Sequence, residues 1–216
     1  MLNKYKKIAN VVLEPSLFKK LISMGFGGYL KDIGWIESYK HHKPIDAKGN
    51  PLPWVTYPFI DFIADRLNIS MEVFEYGSGN STLWYAQKVK SVYSVEHDKV
   101  WFESIKNSVL DNVNIYYQEL EYGGEYASFP SKLEKMFDII IVDGRDRVNC
   151  LKHAVNSIKE NGVVVLDDSE REAYEGGSAF MCEQGFKRID FWGISPGLFY
   201  KKCTTIFYKN ENCIGI

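Results

Sequence analysis

Short apolar segments alternate with helical patterns after about residue 70, and this alternation constrains the fold more than any other feature. Strands are predicted for five segments: Met71–Tyr76, Ser91–Glu96, Asn114–Glu119, Phe137–Asp143 and Gly162–Asp167. Several are apolar at nearly every position, as expected for a parallel sheet covered on both faces. Between them lie helical patterns, among them one that Asp98 would cap and Asn149–Glu160, which should end at Asn161-Gly162. The alternation predicts a doubly wound parallel α/β sheet.

The end of the chain departs from this alternation. Phe186–Phe191 and Cys203–Lys209 both have strand patterns, but only the loop Trp192–Lys202 separates them. Parallel neighbours usually need a helical crossover, so these two strands are predicted to pair antiparallel. The prediction is therefore a mostly parallel, seven-stranded sheet with a reversed last strand.

The first 70 residues show a different pattern. Ser16–Met24 and Pro58–Leu67 have apolar residues at helical spacing, and a proline-rich loop, His41–Pro58, lies between them. In this loop, Trp54 and Tyr57 either cover a ligand site or anchor the N-terminal helices in the core. We predict a helical cap or extension at residues 1–70 and a second unit, the main domain, at residues 71–216.

Composition excludes several classes of protein. The chain has 26 basic and 28 acidic residues, a net charge of −2, which argues against nucleic acid as a partner. No apolar run approaches the roughly 20 residues that span a bilayer, so no membrane partner is expected. The basic start, Met1–Lys7, is followed by Glu14 and Pro15 and does not resemble a secretory leader. Four isolated cysteines fit neither a disulfide framework nor a zinc site, and we expect a cytoplasmic protein of unspecified oligomeric state.

A strand that runs into an acidic residue and a glycine turn is the strongest local motif. It reads Val73-Phe74-Glu75-Tyr76-Gly77-Ser78-Gly79-Asn80-Ser81-Thr82, and its glycines let backbone N–H groups approach a ligand closely. Glu96 ends the next strand, where a carboxylate accepts hydrogen bonds from ribose hydroxyls. A nicotinamide dinucleotide is bound by similar features, but Thr82 stands where the dinucleotide fingerprint G-x-G-x-x-G has its third glycine. Glu75 also suits an ammonium group better than two phosphates, which favours S-adenosylmethionine.

With these motifs in this order, residues 71–209 resemble the class I S-adenosylmethionine-dependent methyltransferases, which have a Rossmann-like fold. The resemblance implies that Glu75, Gly77 and Gly79 line the methionine end of the cofactor and that Glu96 holds the ribose. His97 follows Glu96 and is therefore expected on the cofactor side, near the adenine or the sulfonium end. The cofactor-binding residues predicted on this basis are Glu75, Tyr76, Gly77, Ser78, Gly79, Ser81, Glu96, His97 and Asp143.

Three aspartates follow two neighbouring strands. Asp143 ends the fourth predicted strand and Asp167-Asp168 end the fifth, so their carboxylates should meet at the ligand-binding edge of the sheet. Carboxylates this close repel one another unless they are protonated or bridged by a cation, and their oxygens suit Mg²⁺ or another divalent cation. The cluster is similar to that of metal-dependent O-methyltransferases of the catechol and macrolide-sugar types, which implies metal ligands at Asp143, Asp167 and Asp168. The alternative is a metal-free site in which Asp143 positions cofactor or substrate and Asp168 caps a helix.

Arginines on the loop after Asp143 complete the predicted site. Arg145 and Arg147 could bind a substrate carboxylate or phosphate, or neutralise the neighbouring acids, and Arg171 has the same two interpretations. The predicted catalytic residues are Asp143, Asp168 and Arg145. The resemblance implies methyl transfer to a small polar acceptor, a hydroxyl compound of which sugar derivatives are one class. The alternatives are an aminopropyl-transferase-like enzyme and a non-catalytic nucleoside-binding module.

Overall fold

The computed structural model describes residues 14–216. In this part of the chain the helices are α1 Pro15–Ser23, α2 Tyr29–Asp32, α3 Trp35–His41, α4 Tyr57–Ala64, α5 Asn80–Ala86, α6 Lys99–Ile105, α7 Phe129–Lys132, α8 Arg147–Ala154 and α9 Glu175–Glu183. The strands are β1 Glu72–Tyr76, β2 Ser91–Glu96, β3 Val113–Tyr117, β4 Phe137–Val142, β5 Ile158–Asp167, β6 Lys187–Gly193 and β7 Lys202–Tyr208. A short 3₁₀ helix, Glu172–Tyr174, precedes α9.

The strands form one seven-stranded sheet in the order β3-β2-β1-β4-β5-β7-β6. Strands β1 to β5 pair in parallel, whereas β7 is antiparallel to both β5 and β6. The predicted antiparallel pair and the reversed last strand are therefore confirmed. The strand order reverses direction between β1 and β4, and such a switch point opens a crevice at the carboxyl ends of the strands, where α/β proteins bind ligands.

One predicted helix is partly wrong. The pattern at Asn149–Glu160 predicts a single helix, but α8 ends at Ala154 and β5 begins at Ile158. Ile158 pairs with Phe137, after which the register between β4 and β5 shifts. Gly162 does not end a helix, because it lies inside β5, where a Cβ would come within 2.6 Å of Ile158. Ile158 fits the helical period by chance, and pairing with β4 decides its conformation.

The predicted cap of α6 is confirmed. The side chain of Asp98 accepts hydrogen bonds from the backbone N–H groups of Val100, at 2.9 Å, and Trp101, at 3.0 Å. These bonds satisfy donors that have no partner within the helix. The cap fixes where α6 starts and thereby places Trp101 beside the crevice.

The core lies on both faces of the sheet. One hydrophobic cluster contains Val73 and Ile139 with α4, and the other contains Phe74 and Ile140. Strand β4 is buried at every position, as the apolar run Ile139–Val142 predicts, and its one charged residue, Asp138, pairs with Lys159 at 2.9 Å. The first cluster also contains Trp35, so it includes residues from both sides of the predicted boundary at residue 70.

The N-terminal helix α1 makes little use of its apolar residues. Leu17, Phe18, Leu21 and Ile22 are all exposed, although their spacing places them on one face. Among residues 14–216, no helix has the length and hydropathy needed to cross a bilayer. The basic segment Met1–Lys7 lies outside the described residues.

Candidate functional site

The turn after β1 brings two loops of the crevice into backbone contact. Gly77 has φ +89°, a conformation that glycine adopts without strain, and its N–H donates to the carbonyl of Val95 on β2. A Cβ on Gly77 would lie 3.3 Å from the Cα of Gly144, which follows β4. The glycine turn is therefore held against both neighbouring strands.

Thr82 organises the same turn. Its hydroxyl donates to Glu75 Oε2 at 2.5 Å and accepts from the N–H of Gly79 at 3.0 Å. In the sequence, Thr82 stands out only as a departure from the dinucleotide fingerprint. In the structure, its side chain links the acid at the end of β1 to the backbone of the turn.

Glu75 is a fully buried carboxyl group with no basic partner among residues 14–216. Burial and, to a smaller extent, the nearby Glu96 raise its pKa from 4.5 to about 7, although hydrogen bonds from Ser81 and Thr82 oppose the shift. A ligand with a cationic group would supply the counter-charge that the protein does not provide.

Glu96 is held by the backbone around it. Its Oε1 accepts from the N–H groups of His97 and Asp98, both at 2.8 Å, and its Oε2 accepts from the N–H and hydroxyl of Ser78 at 3.1 and 3.0 Å. The Nδ1 atom of His97 lies 2.9 Å from Oε1 but makes no hydrogen bond in that direction. Of these donors, only the Ser78 hydroxyl can rotate away from Glu96. Glu96 can then accept a hydrogen bond from a ligand hydroxyl, and the Ser78 hydroxyl can donate one to the ligand.

A cavity of about 670 Å³ opens at the switch point between β1 and β4. All nine predicted cofactor-binding residues line it, and so do the predicted catalytic residues Asp168 and Arg145. Asp167 does not line it, because its side chain is buried beneath the cavity and is 2% exposed. The structure thus brings the sequence-predicted residues together around one space, with Asp167 as the exception.

The three aspartates are neutralised by side chains of the protein. Lys202 Nζ lies 2.6 Å from Asp167 Oδ2 and 2.7 Å from Asp168 Oδ1. Arg147 lies 3.0 Å from Asp143 Oδ1 and 3.3 Å from Asp168 Oδ2. Although burial favours the neutral acid, Lys202 and Arg147 hold the pKa of Asp168 below its ordinary value. Burial alone would lower the pKa of Lys202, but Asp167 and Asp168 hold it above its usual range.

This arrangement does not fit the predicted divalent-metal site. A metal would need carboxylate oxygens directed at a common point. Both oxygens of Asp167 instead accept hydrogen bonds, one from Lys202 and one from Thr204. Across residues 14–216, no group of three or more histidine, cysteine or acidic side chains is arranged to hold a metal ion. The cation that the three carboxylates require is supplied by Lys202 and Arg147, so metal ligation by Asp143, Asp167 and Asp168 is not supported.

Lys202 was not among the predicted site residues, since it lies at the end of a predicted loop. Its signal is weak, because the pairing of β7 with β5, which places Lys202 beside the acids, was not predicted. The alternatives for the proline-rich loop are resolved residue by residue: Trp54 lines the cavity, whereas Tyr57 is buried in the core. Lys43 and Pro44 of the same loop also line the cavity, and the Pro44 carbonyl accepts a hydrogen bond from Asn80 at 2.8 Å.

Gly144→Ala is expected to lower the free energy of unfolding by about 1–3 kcal/mol, the usual effect of overpacking. A Cβ there would lie 2.1 Å from the Tyr126 hydroxyl and 3.0 Å from the backbone nitrogen of Gly77. Urea denaturation measures the loss. The control is Gly176→Ala in α9, where a Cβ meets nothing within 4 Å; it should be neutral or stabilising by up to about 1 kcal/mol. Equal effects of the two substitutions would contradict the close contact at Gly144.

Solved structures with a similar fold include methyltransferases and a methyltransferase-like protein. A methyltransferase-like protein from Silicibacter pomeroyi has 21% identity and a TM-score of 0.54, covering 74% of this chain and 89% of that one. Precorrin-6y C5,15-methyltransferase from Geobacter metallireducens has 13% identity and a TM-score of 0.54, covering 71% and 87%. An O-methyltransferase from Streptomyces achromogenes involved in tomaymycin synthesis, in complex with SAM, has 16% identity and a TM-score of 0.53, covering 68% and 76%. The chain has the class I methyltransferase fold.

This likeness confirms the Rossmann-like fold expected from the sequence, including the reversed last strand. No protein-family model and no curated protein matches the chain. At these identities the likeness concerns the fold, so activity and acceptor follow from the site alone.

Proposed function

We propose that the protein is an S-adenosylmethionine-dependent methyltransferase that acts on a hydroxyl group of a small polar acceptor. The observation that supports this most is Glu75, a buried acid that lines the cavity and has no basic partner among residues 14–216. S-adenosylmethionine carries an ammonium group that fits this position, whereas a dinucleotide pyrophosphate does not. That one structure of this fold was solved with SAM agrees with the assignment.

The residues around the turn would hold the cofactor. Glu75 would bind its ammonium group, and Glu96 with Ser78 would exchange hydrogen bonds with its ribose hydroxyls. Trp101 is half-exposed on the cavity wall and is fixed by a 2.8 Å hydrogen bond from its Nε1 to the Ser78 carbonyl. Once bound, the cofactor supplies a methyl group on a sulfonium sulfur. The protein must align an acceptor oxygen with that methyl group and exclude water.

Asp143 is the residue that we assign to proton removal from the acceptor hydroxyl. Burial raises its pKa, and Asp167 raises it further, although Arg147 opposes the shift. A carboxylate with a raised pKa is a stronger base than Asp168, whose pKa is lowered. Asp143 also lines the cavity between the glycine turn and the acceptor side. Asp168, held by Lys202 and Arg147, would orient the acceptor.

Calorimetric titration with S-adenosylmethionine, S-adenosylhomocysteine and NAD⁺ tests the cofactor assignment. We expect both sulfur nucleosides to bind and NAD⁺ to fail. Binding of NAD⁺ alone would contradict the proposal, and preference for the decarboxylated nucleoside would favour aminopropyl transfer. Nucleoside binding without turnover across a panel of sugars, sugar acids and catechols would favour a non-catalytic module.

Asp143→Asn is expected to lower turnover of an acceptor identified in that panel by about 100-fold or more, in the range of general-base catalysis. Because the amide has nearly the same shape, binding of S-adenosylhomocysteine and the circular dichroism spectrum should change little. Asp111→Asn, an exposed position that does not line the cavity, is the matched control. Full turnover by Asp143→Asn would remove Asp143 from the catalytic role.

A further inference from the structure

The acceptor side of the cavity has more basic than acidic side chains along its lining and directly beneath it. The three acids are Asp143 and Asp168, which line the cavity, and Asp167, which is buried beneath it; Lys202 and Arg147 already pair with them. Arg171 adds a third cation, 2.6 Å from Asp168 and 50% exposed. These three basic groups balance the three acids before Arg145 and Lys43, which also line the cavity, are counted.

Arg145 and Lys43 have no acidic partner among the described residues 14–216. Neither side chain takes part in an ion pair or donates a hydrogen bond there, and both are exposed. They come from different parts of the chain, since Arg145 follows β4 and Lys43 follows α3. Glu75 and Glu96 lie on the cofactor side of the cavity, so these two unpaired cations leave an excess positive charge on the acceptor side. The chain as a whole has a net charge of −2, so this excess is local.

We propose that the acceptor carries an oxyanion, a carboxylate or a phosphate, which Arg145 and Lys43 bind at the mouth of the cavity. An arginine fork matches the geometry of both groups, and the lysine adds a point charge from the opposite loop. The oxyanion would then fix the acceptor by one end while its hydroxyl group reaches Asp143. This inference rests on the proposed function and specifies the class of its acceptor.

The inference also accounts for Arg171. Its guanidinium pairs with Asp168, which Lys202 and Arg147 already contact, so Asp168 does not need it for neutralisation. The half-exposed Arg171 side chain extends the basic rim from Arg145, after β4, to the loop that follows the carboxyl end of β5. The positive charge of this rim would repel a cationic acceptor such as a polyamine.

The test uses the full-length protein saturated with S-adenosylhomocysteine and three small probes: glucose, glucuronate and glucose 6-phosphate. Calorimetry or saturation-transfer NMR gives the dissociation constant of each probe. The double variant Lys43→Gln with Arg145→Gln removes the two unpaired cations. The control variant, Lys48→Gln with Lys152→Gln, removes the same charge at exposed positions that do not line the cavity.

We expect at least one anionic probe to bind more tightly than glucose, and to weaken by about tenfold or more in the double variant but not in the control. Preference between glucuronate and glucose 6-phosphate then identifies the oxyanion. Anions that bind no better than glucose, or that bind equally to the double variant, would overturn the inference. A tenfold loss of S-adenosylhomocysteine affinity in the double variant would also overturn it, since the cations would then serve the carboxylate of the cofactor. Failure of the parent protein to bind S-adenosylhomocysteine would instead contradict the proposed function.

Discussion

Glu75→Gln is expected to make the ligand-free protein more stable and to abolish most of its affinity for S-adenosylmethionine. The folded protein holds the Glu75 carboxyl at a pKa of about 7, compared with 4.5 for the ordinary group. The native state therefore binds more protons than the unfolded state between these values, and stability falls as the pH rises through this range. Above pH 7 the full penalty applies, roughly 3 kcal/mol for a shift of this size.

Glutamine removes that penalty because it is neutral and nearly isosteric and can still accept the hydrogen bond from Thr82. Urea denaturation at pH 8 should show a gain of about 1–3 kcal/mol, which shrinks towards pH 5, where Glu75 itself is neutral. The control is Glu72→Gln on the same strand. There Lys135 and Lys90 lower the pKa of the glutamate despite its burial, so that substitution should destabilise the protein at pH 8.

Glu75→Gln should weaken ligand binding, although it stabilises the ligand-free protein. On the proposed function the ionised Glu75 would pair with the ammonium group of the cofactor, so affinity of the parent protein should rise with pH through about 7, and binding should release a proton. Calorimetry in buffers of different ionisation enthalpy measures that proton. Glu75→Gln should lose about tenfold or more in affinity, as expected when a charge-assisted hydrogen bond is removed, together with this pH dependence. Unchanged affinity in the variant would show that Glu75 does not contact the ligand.

Lys202→Met is expected to lower the free energy of unfolding by about 3–5 kcal/mol, the usual cost of removing one partner of a buried ion pair. Lys202 Nζ contacts Asp167 and Asp168, and the Asp167 side chain is only 2% exposed. Methionine fills a similar volume without the charge. Because Asp167 can take up a proton instead, the loss should be smaller at pH 5 than at pH 8.

Two further variants separate charge from packing. Lys201→Met is the control, since Lys201 lies at the surface over the ring of Trp192, 4.4 Å from its centroid, and should cost little. Adding Asp167→Asn to Lys202→Met should recover part of the lost stability, because the buried charge is then removed as well. A loss below about 1 kcal/mol for Lys202→Met alone would mean that water or another group neutralises Asp167.

Sequence patterns predict features that depend on neighbouring residues, such as the strands and their ends. They do not predict features that depend on pairing between distant segments of the chain. The strands were predicted because apolar periodicity is local, and the gathering of Glu75, Glu96 and Asp143 followed from the ends of parallel strands. The counter-charge of Asp167 could not be predicted in this way. Asp167 pairs with Thr204 only through the antiparallel register of β5 and β7, and that register places Lys202 beside the acids.

Two expectations differ from the structure for the same reason, because each depended on contacts between distant residues. Ile158 has a helical period in the sequence but pairs with Phe137 in the sheet. The divalent metal was expected because three carboxylates were recognised without their basic partners. Arg147 was predicted either to bind a substrate carboxylate or phosphate or to neutralise the neighbouring acids. Its contacts with Asp143 and Asp168 favour neutralisation.

The salt bridge between Asp167 and Lys202 joins residues 35 positions apart, and this separation has a consequence for synthesis on the ribosome. The acidic end of β5 leaves the exit tunnel well before its counter-ion. Until β7 has also emerged, Asp167 lacks Lys202, which lies 2.6 Å from its Oδ2 in the folded protein, and has the more distant Arg147, at 3.9 Å, as a basic neighbour. The parallel core can begin to assemble earlier, but Lys202 reaches the acids at the ligand cavity only when the last strand inserts between β5 and β6.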